Sequence, residues 1–343
     1  MTNVSPKVSV LIPTYNYARY LPEAIESVLR QDFTDFELIV SDDCSTDDSA
    51  RILRDYAARD PRIRVHVHQP NLGMVANWNW CLQQACGEYV RYLFGDDCLA
   101  HPSALSRFVK LLDQNPAASL AVSARFTIDE HSGFTGIWDE LRTSRLHQSH
   151  ALVASCLLEN CNLIGEPSVV MFRREQGLRG FTPNLKQIVD LEMWFHLLLK
   201  GDVVYTNEPL CCFRQHGVQQ TAINRSTQTG DLEMVSILRE YLPLLAKRQP
   251  RPLSTFKQQR ILFRALIHLL KKDSLQPALT AEVEWLRAQL PSLPRLFAWL
   301  DYRIRRPFEN MSRSTRKRIL RRKMREGFTE HMAFVQGLRS ARH

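Results

Sequence analysis

Short apolar runs rich in β-branched residues alternate with helix-like segments over the first 125 residues, and this alternation constrains the fold more than any other feature. Such alternation is typical of βαβ units, in which consecutive strands lie parallel. It predicts strands at 7–12, 37–41, 63–67 and 89–94 and helices at 20–30, 47–58, 75–85 and 102–115. Ser45 or Thr46 is the predicted N-cap of the second helix, because hydroxyl side chains favour that position.

The second half of the chain has a different pattern. From about residue 225 onward, glycine and β-branched residues become scarce, and long helical patterns follow at 253–272 and 278–290 with prolines between them. Patterns of this kind predict an all-helical region. We therefore expect an α/β domain with a mostly parallel sheet over residues 1–224 and a helical region over residues 225–343.

The composition is that of a globular protein. The 343 residues are 44% hydrophobic and 24% charged, which excludes a disordered or membrane-spanning chain. The eight cysteines show no CxxC spacing, and the N-terminal segment lacks the basic start and long apolar core of a secretory signal. We therefore expect reduced thiols and a cytoplasmic location.

Polar clusters follow three of the four predicted strands. They are PTYN at 13–16, SDDCSTDD at 41–48 and GDDC at 95–98. Open α/β sheets bind ligands in the crevice at the carboxyl ends of their strands. The pattern therefore predicts that these clusters meet in one crevice.

Two of the clusters contain adjacent carboxylates, Asp42-Asp43 and Asp96-Asp97. Carboxylates gathered in one crevice repel each other unless something positive joins them. Mn²⁺ or Mg²⁺ is the economical candidate, because these ions prefer carboxylate oxygens and share ligands with substrate phosphates. The alternative is helix capping, which suits Asp47 and Asp48 better than it suits the two pairs.

Four segments occur in a familiar order and spacing: VSVLIPTYNYARYLPEAIESVLRQ, FELIVSDDCSTDDS, NLGMVANWN and ACGEYVRYLFGDD. Together they resemble glycosyltransferase family 2, the inverting nucleotide-sugar transferases of the GT-A fold, over about residues 5–220. The resemblance implies a Rossmann-like sheet flanked by helices and a nucleotide-sugar donor.

The resemblance also implies a nucleotide-sugar site. An aromatic face such as that of Tyr15 can stack on a base, and carboxylates can accept hydrogen bonds from base or ribose. Ordinary loop packing is the alternative for Tyr15, and turn formation or helix capping is the alternative for the asparagines. The implied binding residues are Pro13, Thr14, Tyr15, Asn16, Asp42, Asp43, Asn71, Gly73, Asn77, Asp96 and Arg214.

The GDD segment corresponds to the DxD-type metal motif of the family. It departs from the fullest form of that motif because Phe94 stands two residues before Asp96. Asp97 is then the expected ligand, and Asp96 a ribose or metal contact. In the later segment CCFRQHGVQQT, Arg214 is expected to bind phosphate oxygens, and His216 to bind the metal or donate to phosphate.

An inverting transfer needs a base that removes the proton of the acceptor hydroxyl. The segment IVDLEMWFHLLLKG lies where the resemblance places the family's Glu-Asp pair before an apolar helix, with Val189 in place of the first acid. The resemblance puts Asp190 on the base position, and Glu192 is the alternative. Side chains two residues apart on a helix do not share a face, so only one of Asp190 and Glu192 can reach the hydroxyl. A helix cap is the structural alternative for Asp190. The segment NLIGEPSVVMFRRE is expected to line the acceptor side.

The net charge of +9 is concentrated at the C-terminus, where residues 300–343 contain 13 Lys and Arg against 4 Asp and Glu. Over residues 312–339 the pattern is that of a basic amphipathic helix. Binding to an anionic membrane surface is the favoured interpretation. Packing on the protein with a solvated basic face is the alternative, and nucleic-acid binding is not expected because no reader motif accompanies the charge.

The sequence thus predicts an inverting glycosyltransferase of hexosyl type that uses Mn²⁺ or Mg²⁺. Its donor would be a UDP- or dTDP-linked sugar, and its acceptor a hydroxyl of a glycan or lipid-linked molecule in surface polysaccharide synthesis. The rival hypothesis is a basic nucleic-acid- or partner-binding protein built on a catalytically inactive GT-A scaffold.

Overall fold

The computed structural model describes residues 5–217, 228–248, 252–272 and 274–290. The basic segment 312–339 lies outside these ranges, so its helix stays a prediction. The strands are β1 (Val8–Thr14), β2 (Phe36–Asp42), β3 (Ile63–Val67), β4 (Tyr89–Tyr92), β5 (Cys98–Leu99), β6 (Ala118–Ile128), β7 (Phe134–Trp138), β8 (Arg145–His147), β9 (Val170–Arg173) and β10 (Asp202–Arg214). The α-helices are α1 (Leu21–Leu29), α2 (Ser49–Ala57), α3 (Met74–Gln84), α4 (Ala104–Gln114), α5 (Ser149–Glu159), α6 (Arg174–Gly177), α7 (Val189–Leu198), α8 (Thr229–Lys247), α9 (Thr255–Leu270) and α10 (Pro277–Ala288).

The first half of the sheet is parallel, as predicted. β1 lies between β2 and β4, β3 lies outside β2, and all three pairings are parallel. Every residue of β1 is buried, which is typical of a strand covered on both faces. All eight elements predicted for residues 7–115 are present, with ends within two residues of the prediction.

The predicted cap of α2 was wrong. The N-cap is Asp48, and no side chain caps the helix there. The Ser45 hydroxyl donates instead to Asp42, and the Thr46 N–H and hydroxyl donate to Asn16. These hydroxyl residues join strand-end loops, because partners from β1 and β2 lie closer to them than the helix end does.

The second half of the sheet is mixed. The strand order is β3-β2-β1-β4-β9-β6-β10-β5, with β7 beside β6 and β8 beside β10. β9 lies antiparallel between β4 and β6, while β6 and β10 are parallel. β5 pairs with β10 so that Cys98 lies opposite Cys212. This pairing brings the GDD turn next to the end of β10.

The C-terminal described residues are helical, as predicted. α9 packs on α5, and α8 lies against α7, where the Tyr241 ring meets Phe195 at 5.3 Å between centroids. Arg264 of α9 pairs with Glu159 at the end of α5. The helices share one hydrophobic core with the sheet. Among the described residues, no helix combines the length and apolar character needed to cross a lipid bilayer.

Candidate active site

The ends of β1 and β2 are joined by hydrogen bonds between the loops that follow them. Thr14 lies opposite Asp42 in the strand register, and the Asp43 N–H donates to the Thr14 carbonyl at 2.9 Å. Asn16 has a left-handed backbone with φ of 58°, a conformation that asparagine tolerates. Its side-chain oxygen accepts from the Thr46 N–H at 2.8 Å. The first two predicted clusters therefore meet.

Both carboxylates of the first acidic pair accept hydrogen bonds from the protein. Asp42 accepts from the hydroxyl and the N–H of Ser45, at 2.5 and 3.0 Å. Asp43 accepts from the N–H groups of Leu72 and Gly73, at 2.7 and 2.9 Å. The sequence analysis assigned these carboxylates to the nucleoside. In the structure both carboxylates order loops: Asp42 accepts from the nearby Ser45, and Asp43 accepts from backbone N–H groups of a distant segment. Their contact with the nucleoside stays a prediction.

The segment 71–77 lies against this edge of the sheet. The Asn71 side chain donates to the Asp43 carbonyl at 2.6 Å, and the buried Asn77 side chain donates to the Ser41 carbonyl at 3.2 Å. Gly73 has φ of 87° and stands at the N-cap of α3. The turn-forming alternative therefore describes Asn71 well, while Asn77 anchors α3 to β2.

Tyr15 has the exposed ring at the end of β1. Its side chain is 49% exposed, whereas the neighbouring Pro13 and Thr14 are buried. An exposed ring beside strand-end loops can stack on a flat apolar face. Tyr15 is therefore the residue of this group with a surface free to meet a base.

Asp96 and His216 form a buried pair at the ends of β4 and β10. The Asp96 Oδ2 atom lies 3.0 Å from His216 Nε2, and both side chains are nearly inaccessible to solvent. The imidazole packs against Tyr20 at 5.3 Å and edge-on to Tyr17 at 6.1 Å between ring centroids. Burial, together with the charges of Asp96 and Asp97, raises the pKa of the Tyr17 hydroxyl.

Asp97 has different surroundings from Asp96. Its Oδ1 atom accepts from the Arg214 N–H at 2.9 Å. Burial and the charge of Asp96 raise the pKa of Asp97 well above its usual value, although the Ser168 hydroxyl and the Arg214 N–H oppose this. The second carboxylate of the GDD turn is therefore held inside the protein by β10 and the loop before β9.

Arg214 is a structural side chain in this arrangement. Its guanidinium donates to the carbonyls of Asp96 and Asp129 at 2.6 and 3.1 Å and to the Ser132 hydroxyl at 2.8 Å. It also lies 3.2 Å from the Glu23 carboxylate and is 1% exposed. Packing has turned the Arg214 guanidinium into the protein, and its binding to phosphate oxygens stays a prediction.

A divalent ion fits part of this site. Within the described ranges, no three His, Cys, Asp or Glu side chains already surround a common point. The carboxylate oxygen of Asp96 and the imidazole nitrogen of His216 nevertheless lie side by side, and both are atoms that coordinate Mn²⁺. The fit is that of two protein ligands with the other positions left to substrate. Asp97, the ligand expected first from the sequence, accepts from the Arg214 N–H through Oδ1, and its place among the metal ligands stays a prediction.

Asp190 lies at the start of α7, where the N-cap is Ile188, so the capping alternative does not describe it. Its Oδ1 atom accepts from the Leu191 N–H at 2.8 Å, and its Oδ2 atom accepts from the Asn162 side chain at 3.0 Å. Burial first, and the charge of Glu166 in addition, raise the pKa of Asp190 to about 7 against these two donors. A carboxylate with this pKa can take and release a proton near neutral pH.

Glu192 lies on another face of the same helix. Arg179 binds it through two nitrogens at 2.7 and 2.8 Å, and the hydroxyls of Thr182 and Tyr241 donate to it, each at 2.7 Å. Burial alone would raise its pKa, but the hydrogen bonds from Arg179, Tyr241 and Thr182 hold the pKa below its usual value. Glu192 is therefore held in an ion pair with Arg179, which is typical of a structural residue.

The loop 162–168 links the two ends of the site. Ser168 accepts from the Phe94 N–H beside the GDD turn, and Asn162 donates to Asp190. Between them, Glu166 is paired with Arg125 of β6 at 2.7 Å. The sequence analysis placed this segment on the acceptor side without roles, and it did not single out Asn162 or Arg125. No periodic signal marks either residue, since their partners come from other segments.

Comparison with known proteins places this geometry in a family. The model of glycosyl transferase family 2 matches residues 9–156. TuaG of Bacillus subtilis (strain 168), a glycosyltransferase named for teichuronic acid biosynthesis, is 33% identical over 215 residues. That match covers 62% of this chain and 81% of TuaG. Protein MT1568 of Mycobacterium tuberculosis is 31% identical over 247 residues, covering 68% of this chain and 75% of MT1568.

A solved structure has a similar fold. The crystal structure of Staphylococcus aureus TarS 1–349 in complex with UDP-GlcNAc superimposes with a TM-score of 0.65 at 20% identity. It covers 83% of this chain and 82% of the TarS chain. The sheet order, the strand-end clusters, the family match and the identity to TuaG agree. The chain belongs to glycosyltransferase family 2.

Proposed function

We propose that this glycosyltransferase moves a sugar from a nucleotide-diphosphate sugar to an acceptor hydroxyl, with inversion at the anomeric carbon and Asp190 as the base. The observation that carries the proposal is the state of Asp190. It is a carboxylate held by two donors, with a pKa near 7, at the start of α7. The neighbouring Glu192 cannot serve in its place without breaking its pair with Arg179.

In this mechanism the acceptor oxygen attacks the anomeric carbon while the bond from that carbon to the diphosphate breaks on the opposite face. The proton of the acceptor hydroxyl moves to the Asp190 carboxylate. A base with a pKa near the working pH is ionised often enough to accept the proton and basic enough to remove it. General base catalysis of this kind contributes about 10²–10⁴-fold to a rate.

Asp96 and His216 would hold a Mn²⁺ or Mg²⁺ ion in the proposed enzyme. A divalent ion bound there would offset the negative charge of the departing diphosphate. Arg214 would act on the same region indirectly, by fixing the carbonyl of Asp96 and, through its backbone N–H, the carboxylate of Asp97.

The donor we propose is a UDP- or dTDP-linked sugar, and the acceptor a glycan or lipid-linked molecule of a surface polysaccharide. The name of TuaG and the UDP-GlcNAc in the TarS crystal support this direction. The exposed Tyr15 ring would stack on the base, and the loops built by Asp42 and Asp43 would surround the nucleoside. The segment that contains Asn71, Gly73 and Asn77 would form one side of this nucleoside site.

A nucleotide-sugar screen followed by a transfer assay tests the proposal. Thermal stabilisation by each nucleotide sugar, with and without Mn²⁺, identifies the donor, because a ligand that binds only the folded state raises its stability. With that donor, Asp190→Asn should lower transfer at least 100-fold while the nucleotide dissociation constant changes less than twofold. Asp55→Asn, on the exposed face of α2, is the matched control. Undiminished transfer by Asp190→Asn would place the base elsewhere.

We also propose that residues 312–339 bring the enzyme to an anionic membrane surface at the cytoplasmic side. Eight basic residues without an acid between Ser312 and Arg325 support this. Flotation with phosphatidylglycerol liposomes should be lost when residues 312–343 are deleted. Equal flotation of the shortened chain would contradict the proposal.

A further inference from the structure

We propose that Asn162 is the positioning residue for the base, and that its side-chain amide holds the Asp190 carboxylate in the orientation used for proton transfer. This inference rests on the proposed function, because it takes Asp190 as the base. It concerns a residue of the loop before β9 that lies 28 positions away from Asp190 in the chain.

Every polar atom of the Asn162 side chain has a partner. Its Nδ2 group donates to Asp190 Oδ2 and to the Gly165 carbonyl, both at 3.0 Å. Its Oδ1 atom accepts from the N–H groups of Ile164 and Gly165, both at 2.9 Å. Because two backbone donors face the oxygen, the amide cannot flip without losing both bonds. The nitrogen is therefore held toward Asp190.

The loop that carries Asn162 is itself fixed to the helix of the base. Gly165 has φ of 120°, and a Cβ atom there would lie 2.5 Å from a Val169 methyl, so no other residue fits without rearrangement. The buried Trp194, one turn beyond Asp190 on α7, donates to the Gly165 carbonyl at 2.9 Å. Asn162 and Trp194 thus donate to the same carbonyl, which fixes the position of the loop relative to α7.

The charges around Asp190 give this amide a chemical consequence. Glu166 is the like charge that acts on Asp190, and its own carboxylate is bound by Arg125 at 2.7 and 3.1 Å. The other acid at the start of the helix, Glu192, is paired with Arg179 on a different face. The Asn162 amide stabilises the ionised form of Asp190, because it donates to the charged oxygen. Removing this donor should therefore leave Asp190 protonated to higher pH.

Two substitutions separate positioning from a merely structural role. Asn162→Asp keeps the oxygen that accepts from the loop N–H groups, but replaces the donor to Asp190 by a second acid. Asn162→Ser can still accept from those N–H groups, as serine does in turns, but cannot reach Asp190 and adds no charge. Asn115→Ser is the matched control, since the Asn115 side-chain amide donates to the carbonyl of Leu111 in α4 and not to a carboxylate.

The experiment is a ¹³C NMR titration of the Asp190 carboxyl in the protein without substrate, joined to a pH profile of transfer. The Asp190 signal is assigned by its absence in Asp190→Asn. We expect its apparent pKa to rise by one pH unit or more in Asn162→Asp, where the two acids titrate as a pair, and by a smaller amount in Asn162→Ser. In Asn162→Asp, kcat at pH 6.5 should fall about eightfold or more and recover toward pH 9, with KM for the donor within twofold.

An unchanged Asp190 titration in a folded Asn162→Ser or Asn162→Asp protein would overturn the inference. So would a pH-independent loss of kcat, because a merely structural role would lower activity without moving the profile. Failure of the proposed function has another signature: full transfer by Asp190→Asn, or absence of transfer with every donor. The NMR titration needs no turnover, so it reports on Asn162 in either case.

Discussion

Asp43 and Asp190 belong to two regions of the candidate site, one at the end of β2 and the other at the start of α7. Asp43 accepts two backbone N–H bonds, at 2.7 and 2.9 Å, from one loop. Asp190 accepts one backbone and one side-chain bond and faces the charge of Glu166. The first carboxylate serves to order a loop. The second is left close to its protonation midpoint at neutral pH, which is the condition for chemistry.

The same contrast occurs within α7. Asp190 and Glu192 are two residues apart, yet one has a raised pKa and the other a lowered one. Arg179 and two hydroxyls account for the low pKa of Glu192, and none of them reaches Asp190. The donors that surround each carboxylate, and not its residue type, therefore distinguish the candidate base from the structural acid.

The largest effect on stability should come from Asp190 itself. An unfolded aspartate titrates near pH 3.9, whereas Asp190 titrates near 7, so the unfolded state ionises first. Stability should therefore fall as pH rises from about 4 to 7 and stay lower above 7. Asp190→Asn removes this penalty, so at pH 8 it should be more stable than the parent by up to about 4 kcal/mol. Urea denaturation at pH 8 and at pH 4 measures the difference.

At pH 4 the gain from Asp190→Asn should shrink to about 0.5 kcal/mol, because the acid is protonated in the folded state and still about half protonated in the unfolded state. A gain that is equal at both pH values would mean that Asp190 is not held protonated by burial, and the contrast with Asp43 would lose its basis.

A second effect should come from Glu192. Glu192→Ala removes the buried partner of Arg179 and the carboxylate that accepts from the hydroxyls of Thr182 and Tyr241, leaving Tyr241 only the backbone carbonyl of residue 192 at 3.4 Å. We expect a loss of about 3 kcal/mol in the free energy of unfolding. Glu175→Ala, at an exposed position of α6, should change it by less than about 0.5 kcal/mol.

Chemical denaturation of both variants at pH 8 gives the comparison. Equal stabilities would show that Glu192 is not structural, and it would return as the alternative base. Transfer activity of the folded fraction of Glu192→Ala should stay within tenfold of the parent.

The smallest effect should be local to the nucleotide side. Asp43→Asn can satisfy only one of the two N–H groups of Leu72 and Gly73. Losing a bond to a charged acceptor costs about 2 kcal/mol. Hydrogen exchange at the amide that loses its Asp43 acceptor should therefore become about 30-fold faster. Exchange in α7 should stay unchanged.

Asp48→Asn, on an exposed side chain at the start of α2, is the control for that measurement. Protection of Leu72 and Gly73 that survives Asp43→Asn would mean that the loop is held by other contacts, and that Asp43 is free to bind the nucleoside.

Local structure was the most predictable part of this protein. The apolar runs that became β1 to β4 and the helices between them are defined by short-range periodicity, so the sequence located them within two residues. The separate faces of Asp190 and Glu192 also followed from helical spacing. The antiparallel insertion of β9 between β4 and β6 did not, because strand order depends on contacts between segments far apart in the chain.

The residue types of the site could be predicted from the sequence, but their hydrogen-bond and ion-pair partners could not. The structure places Thr14 beside Asp42 and Asp96 beside His216, because strand ends meet at one edge of the sheet, and the motifs had marked all four residues. The motifs did not show that Arg214 is buried against Glu23, nor that the Asp97 carboxylate accepts from the backbone N–H of Arg214. Which donor reaches which carboxylate depends on side-chain packing.

By itself, the sequence determined the α/β alternation, the family and the positions where carboxylates follow strands. These depend on neighbours along the chain. The tertiary structure alone decided which carboxylates are satisfied and which stays near its protonation midpoint. The reason is physical: a carboxylate's pKa depends on burial and on the donors and charges within a few ångströms, and for Asp190 these come from a loop 28 residues away.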